Sequence, residues 1–240
     1  MVKLTQEFIT AVLELSDIGQ SKIGEHEREL FGMSSPRLKA LLNNLCSKEG
    51  TNYLELGTYK GSTLISAAYG NLKSKLVGVE NYSYDEREPL RKAPDGQIWE
   101  NMKSQLLYNI KRYEERDSLI DTKNITIVQD DFQKVDWKNY PKFDLCFFDI
   151  VPADKETYKV FFDTTLTALS SEAVIVFSNY SNVKNAKEID EVIADNSHKF
   201  DVQWKKQRIS GGLSDHTQYY SGVLIIGIKK KIVKAEKVST

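Results

Sequence analysis

Apolar positions along this chain change their spacing from one region to the next. Between residues 5 and 17 they fall at Phe8, Ile9, Val12, Leu13 and Leu15, the pattern of one helix face. Gly19 and Gly24 interrupt it, and the charged stretch from Ser21 to Phe31 reads as a loop or a loose helix. Ser34-Ser35-Pro36 supplies a cap and a first-turn proline ahead of Leu38, Leu41, Leu42 and Leu45, a second amphipathic helix that Gly50 ends. Beyond it, continuous apolar runs alternate with amphipathic stretches. The runs near 52–56, 75–79, 124–129, 143–149 and 173–178 predict strands. The stretches near 62–70, 98–114, 155–170 and 183–195 predict helices. Apolar runs without strict alternation suit a parallel sheet covered on both faces, and the strand–helix alternation predicts a doubly wound α/β architecture. Two last runs, Val202-Gln203-Trp204 and Tyr219 to Ile228, are joined by the short turn Ser210 to His216 with no helix, so they form an antiparallel pair.

The 240 residues suffice for one domain with a full core. The division expected is residues 1–50 as a helical cap, 51–230 as the sheet domain and 231–240 as a basic tail. A formal net charge of −1 offers no electrostatic footprint for a polyanion, so no nucleic-acid partner is expected. The lysines at 229, 230, 231 and 234 read as a solvated edge. Two cysteines, Cys46 and Cys146, have no metal-type or disulfide-type spacing, and a reducing, cytoplasmic setting follows. No apolar run approaches membrane-spanning length, and the N-terminus does not read as a signal peptide.

The candidate chemistry begins where the first strand of the sheet ends. Leu54-Glu55-Leu56-Gly57-Thr58-Tyr59-Lys60-Gly61-Ser62-Thr63 runs from an apolar strand into two glycines four apart, then into hydroxyl residues that start a helix. Glycine lets backbone approach a ligand closely, and Ser62 and Thr63 can hydrogen-bond a carboxylate where free N–H groups also point. A dinucleotide fingerprint needs a third glycine, but Thr58 fills the middle position, and no phosphate-loop lysine pattern is present. A cofactor without a pyrophosphate suits this turn better. The next strand ends in Glu80, with Asn81 beside it, where a carboxylate can accept two ribose hydroxyls. After the third strand, Asp130 or Asp131 can meet an adenine amino group with Phe132 against the ring; the same acids can equally cap the following turn. Asp149 ends the fourth strand, at the edge where α/β sheets bind ligands.

These segments resemble the class I S-adenosylmethionine-dependent methyltransferases, and most of all the small-molecule O-methyltransferases of the catechol and sugar type from bacteria and phages. The resemblance covers roughly residues 34 to 229 and implies a Rossmann-like, mostly parallel seven-stranded sheet with a C-terminal antiparallel hairpin. It implies S-adenosyl-L-methionine as cofactor. Glu55, Gly57, Tyr59, Gly61 and Thr63 would line its methionine end, Glu80 would hold the ribose, and Asp131 the adenine. A small-molecule or sugar hydroxyl would be the acceptor, and a homodimer is left open.

The chain also departs from that pattern. In metal-dependent relatives an acid ends the fourth strand and another ends the fifth, whereas here the fifth ends in Val176-Phe177-Ser178-Asn179. Asp149 with Asn179 is a poor site for a hard cation, so no metal is expected. The histidine of sugar-modifying relatives is absent from Asp149 to Lys155. His26 and His198 read as surface residues. The expected proton acceptor is therefore Asp149, His216 or Lys155. The long segment from Asn81 to Gly96, and Met33-Ser34-Ser35, are expected to cover the site. Two other readings stand beside this one: a fold that binds cofactor without turnover, and a nicotinamide-dependent oxidoreductase.

Overall fold

The computed structural model describes residues 3–24, 32–83, 102–209 and 218–231. Two helices open the chain, α1 (Gln6–Asp17) and α2 (Pro36–Leu45). The Thr5 hydroxyl caps α1 by accepting from the Phe8 amide, and Ser35 caps α2 with Pro36 in its first turn. The sheet elements follow as β1 (Asn52–Leu56), α3 (Ser62–Ala68), β2 (Lys75–Val79), α4 (Met102–Asp117), β3 (Ile125–Val128), β4 (Phe143–Phe148), α5 (Lys155–Thr164), β5 (Leu169–Ser178), α6 (Val183–Asp195), β6 (Phe200–Arg208) and β7 (Val223–Lys230).

The strands form one seven-stranded sheet in the order β3-β2-β1-β4-β5-β7-β6. All neighbours from β3 to β5 are parallel, whereas β7 runs antiparallel to both β5 and β6. The doubly wound sheet with its antiparallel hairpin is thus as expected, with shifted boundaries. β5 begins at Leu169, because the expected helix over 155–170 stops at Thr164 and a 3-10 turn over Thr165–Ala168 leads into the strand. β6 spans nine residues, much more than Val202 to Trp204, since pairing with β7 carries a polar edge strand past its few apolar positions. β7 starts at Val223, because Tyr220 at φ 58° and Gly222 at φ 78° take the backbone before it out of the extended region.

Alternation along β4 sorts the core onto two faces. Leu145 and Phe147 join Tyr53, Val174 and Val176 in the cluster under α1, α2, α3 and α4. Cys146 and Phe148 join Leu54, Leu56, Ile175 and Phe177 in the cluster under α5 and α6. Phe148 is ringed by Phe132, Tyr158, Phe161 and Phe177 at centroid distances of 5.1–6.3 Å. Both cysteines are buried, free thiols. Among the described residues no helix is long and apolar enough to cross a membrane.

The parallel register places the carboxyl ends of β1, β2, β4 and β5 along one edge. Ser178, the last residue of β5, pairs with Val223, and Val223 pairs with Arg208. The connection from β6 to β7 therefore leaves from that same edge.

Candidate functional site

The turn after β1 carries three left-handed residues in five: Gly57 at φ 91°, Tyr59 at φ 50° and Gly61 at φ 82°. Gly57 is required sterically as well as conformationally. A Cβ there would lie 2.4 Å from the carbonyl oxygen of Asp149, a backbone atom that cannot step aside. The Gly57 amide donates to the Val79 carbonyl at 3.0 Å, and the Asp149 amide donates to the Leu56 carbonyl at 2.9 Å. Hydrogen bonds thus lock the turn between the tips of β2 and β4. Gly61 is the N-cap of α3 and offers no side chain to its first-turn amides.

Glu80 organises the other side of the turn. Its Oε2 accepts from the Tyr59 amide at 2.8 Å and its Oε1 from the Tyr82 amide at 3.1 Å. Tyr59 and Tyr82 (φ 55°) are both left-handed, so one carboxylate holds two strained residues in place. Of the five non-glycine residues with positive φ among those described, Tyr59, Tyr82, Asn179 and Tyr220 all lie in connections at this edge. Strain of this kind concentrates at functional sites.

Glu55 lies one position inside β1 and is fully buried. It accepts from the Tyr53 hydroxyl at 2.5 Å, two residues earlier on the same strand face, and from the Thr63 hydroxyl of α3 at 2.9 Å. Burial pushes its carboxyl up to about 8; the two hydroxyl hydrogen bonds oppose that, while the charges of Asp149 and Glu80 add to it. Asp149 is half-buried, and its carboxyl is pushed up to about 7 by desolvation, with a hydrogen bond from Ser178 opposing and Glu80 adding to the rise. The Asn179 side-chain amide donates to the Ser178 hydroxyl at 2.9 Å, which extends the chain that orients Asp149.

The structure brings together Glu55, Gly57, Tyr59, Gly61, Thr63, Glu80 and Asp149. Ser62 also belongs here, its hydroxyl hydrogen-bonded to that of Ser34 at 3.1 Å. Asn81 is exposed and accepts from the Ser83 amide at 3.0 Å. The acids after β3 make local turns: Asp130 Oδ1 accepts from the Asp131 amide at 2.8 Å and Asp131 Oδ1 from the Gln133 amide at 3.0 Å. Phe132 is only 6 % exposed and sits in the core, edge-on to Phe148, instead of standing open to a ligand.

Lys155 does not belong to the group. It is the first residue of α5 and is paired at 2.5 Å with Glu191 of α6. That hydrogen bond, more than any other influence, raises its pKa above the ordinary lysine value, which makes it a worse proton acceptor. The expectation that it could take the acceptor's proton is corrected on that ground. His216, His26 and most of the expected covering segment Asn81 to Gly96 lie outside the described residues.

Sequence reasoning did not assign Tyr53, Tyr82 or Gly32 to the site. Tyr53 was legible as the residue two before Glu55 on one strand face. Gly32 was not: a Cβ there would lie 2.3 Å from Ser62 Cβ, so the segment before α2 lies flat against the start of α3. Of the expected covering stretch Met33-Ser34-Ser35, Ser34 is hydrogen-bonded to Ser62 at the start of α3.

A sheet of this order, with an antiparallel β7, is a fold this chain shares with solved methyltransferase structures. No protein-family model and no curated protein sequence matches the chain. Solved structures do match in fold. A Bacillus cereus O-methyltransferase in complex with SAH aligns with a TM-score of 0.54 at 19% identity, over 94% of this chain and 92% of that one. The SAH-bound methyltransferase PaMTH1 of Podospora anserina aligns with a TM-score of 0.53 at 15% identity, over 95% and 89%. TrmN from Thermus thermophilus aligns with a TM-score of 0.54 at 15% identity, covering 88% of this chain and 53% of its own.

Proposed function

We propose that this chain is an S-adenosylmethionine-dependent methyltransferase acting on a hydroxyl of a small molecule or sugar, without a metal ion. The observation that carries the reading is Glu80, held at the tip of β2 against the glycine turn by the amides of Tyr59 and Tyr82. A carboxylate oxygen has two acceptor positions. Each Glu80 oxygen therefore keeps capacity for a ribose hydroxyl after accepting its backbone amide. The donor set fits an adenosine cofactor with no pyrophosphate: Glu80 for the ribose, Asp131 for the adenine, and Glu55, Tyr59, Ser62 and Thr63 for the amino-acid end.

When bound, such a cofactor supplies an electrophilic methyl group on sulfur. An acceptor hydroxyl that is to take that methyl would have to give up its proton to a group of the protein. Asp149 is the described group best placed to take it, with a pKa pushed up to about 7 and an orientation set by Ser178. A base near neutral pKa suits that task. His216 remains the other candidate. The same neighbours support metal independence, since Ser178 and Asn179 bring neutral oxygen where a hard cation needs carboxylate charge. Net charge of −1 favours a small acceptor over a polyanionic RNA.

Saturating S-adenosylhomocysteine tests the cofactor assignment. At a hundred times Kd it adds about 2.7 kcal/mol to stability, which is roughly 5–10 °C in Tm for a chain of this size. Glu80→Ala should remove most of that shift. A shift with NAD(H) and none with S-adenosylhomocysteine would overturn the reading. Activity is then sought with radiolabelled cofactor over glycans and phenols. Transfer should survive EDTA, rise with pH through an apparent pKa of about 7, and fall about a hundredfold or more in Asp149→Asn, the usual scale for losing a general base. Cofactor binding with no transfer to any acceptor would instead indicate a non-catalytic protein.

A further inference from the structure

The glycine turn after β1 is braced by α4 as well as by the tips of β2 and β4. A Cβ at Gly61 would lie 2.1 Å from Cδ1 of Leu106, so the left-handed backbone at Gly61 is pressed against that helix. Asn109 stands three residues further on, on the same face of α4. Its side-chain amide donates to the Lys60 carbonyl at 3.1 Å. At the other end of the same peptide group, the Gly61 amide donates to the Thr58 carbonyl at 2.9 Å. The Lys60–Gly61 peptide is therefore held at both ends, once from within the turn and once from α4.

The neighbours of Asn109 on this face do a different job. Met102, Leu106, Ile110 and Tyr113 are buried in the cluster that also holds Leu64 and Ile65 of α3. Apolar burial is non-directional: it seats α4 against α3 but does not set the plane of a peptide group. A hydrogen bond to the carbonyl does set it. That plane has consequences for the site, because Tyr59 precedes the peptide and Ser62 follows it. Both side chains belong to the set assigned above to the amino-acid end of the cofactor. On the ribose side the turn is already anchored, by Glu80 on the Tyr59 amide. Asn109 supplies the anchor on the far side.

We propose that Asn109 is a positioning residue for the amino-acid end of the cofactor. It acts through the Lys60 carbonyl and fixes where Tyr59 and Ser62 stand, without touching the cofactor itself. The inference rests on the cofactor reading above, and it extends the site to α4.

Two adenosine thioethers separate this role from a merely structural one. S-adenosylhomocysteine carries the amino-acid end, and methylthioadenosine lacks it. Calorimetric titration of the full chain should give Asn109→Ala a Kd for S-adenosylhomocysteine about tenfold above that of the unsubstituted chain, the scale of one hydrogen bond to a charged group. Its Kd for methylthioadenosine should stay within about twofold. Asn109→Asp, which turns an oxygen toward the Lys60 carbonyl, should lose at least as much with the first ligand and as little with the second. In the unsubstituted chain, the NMR signal of the Asn109 side-chain amide should move with S-adenosylhomocysteine and hold still with methylthioadenosine, a measurement that needs no variant to fold. Equal weakening of both ligands in Asn109→Ala overturns the proposal, since general damage to the turn would produce it. An unchanged affinity for S-adenosylhomocysteine in that variant, or an Asn109 signal indifferent to this ligand, also overturns it. An unsubstituted chain that binds neither thioether overturns the cofactor reading instead and the proposal with it.

Discussion

A methyl group at residue 57 would meet the Asp149 carbonyl, and the φ of 91° there already disfavours any side chain. Gly57→Ala should therefore cost more than about 2 kcal/mol, as backbone strain and overpacking act together, measurable by urea denaturation. Glu55 carries a different cost. Its folded pKa of about 8 lies above the ordinary 4.5, so the folded chain binds the proton more tightly than the unfolded one. The resulting stability is complete below pH 4.5 and is lost as pH rises through about 8. Glu55→Gln should flatten that decline, which Tm profiles between pH 5 and pH 9 would reveal; a decline unchanged in the variant would mean the titrating group lies elsewhere. At this scale the sequence was informative about identity and poor about direction. Glu80 at a strand tip was legible from one apolar run and its end. That Lys155 turns to Glu191 was not, because the pairing depends on how α5 and α6 pack side by side.

Elements were legible where apolar periodicity was strong and were misjudged where pairing or capping set the boundary. β6 is the clearest case. Its alternating polar positions, Gln203, Lys205 and Gln207 among them, gave little hydrophobic signal, and hydrogen bonds to β7 define it instead. The strand is secured by Trp204, whose ring lies where a Cβ of Gly227 would be, 2.2 Å from Cε2. A register shift between Val202 and Trp204 accompanies that approach. Trp204→Ala should destabilise by about 2–3 kcal/mol, somewhat under the usual cost for a fully buried tryptophan because this one is half-buried. Gly227→Ala should also destabilise, by displacing the ring. Parallel chemical denaturation of the two variants measures both, and a neutral Gly227→Ala would show that the indole can retreat at no cost.

Across the whole molecule, fold class followed from the alternation of strands and helices together with a helix-free final connection. The site followed less completely. The candidate residues from Glu55 to Thr63 stand together in one stretch of sequence, whereas contacts such as those of Arg208 and Tyr219 with Asp17 arise only through the tertiary fold, and no local pattern marks them. The same global arrangement gathers Glu55, Glu80 and Asp149 around one glycine turn, each raising or being raised by another. Two of the three carry pKa values near 7 and 8, so at neutral pH the trio is only partly ionised. A positively charged guest entering that pole would drive the remaining ionisation, and hydrogen ions would leave as it arrives. Calorimetric heats for a sulfonium compound should consequently differ between phosphate and Tris at pH 7.5, whereas the uncharged thioether should give nearly equal heats in both.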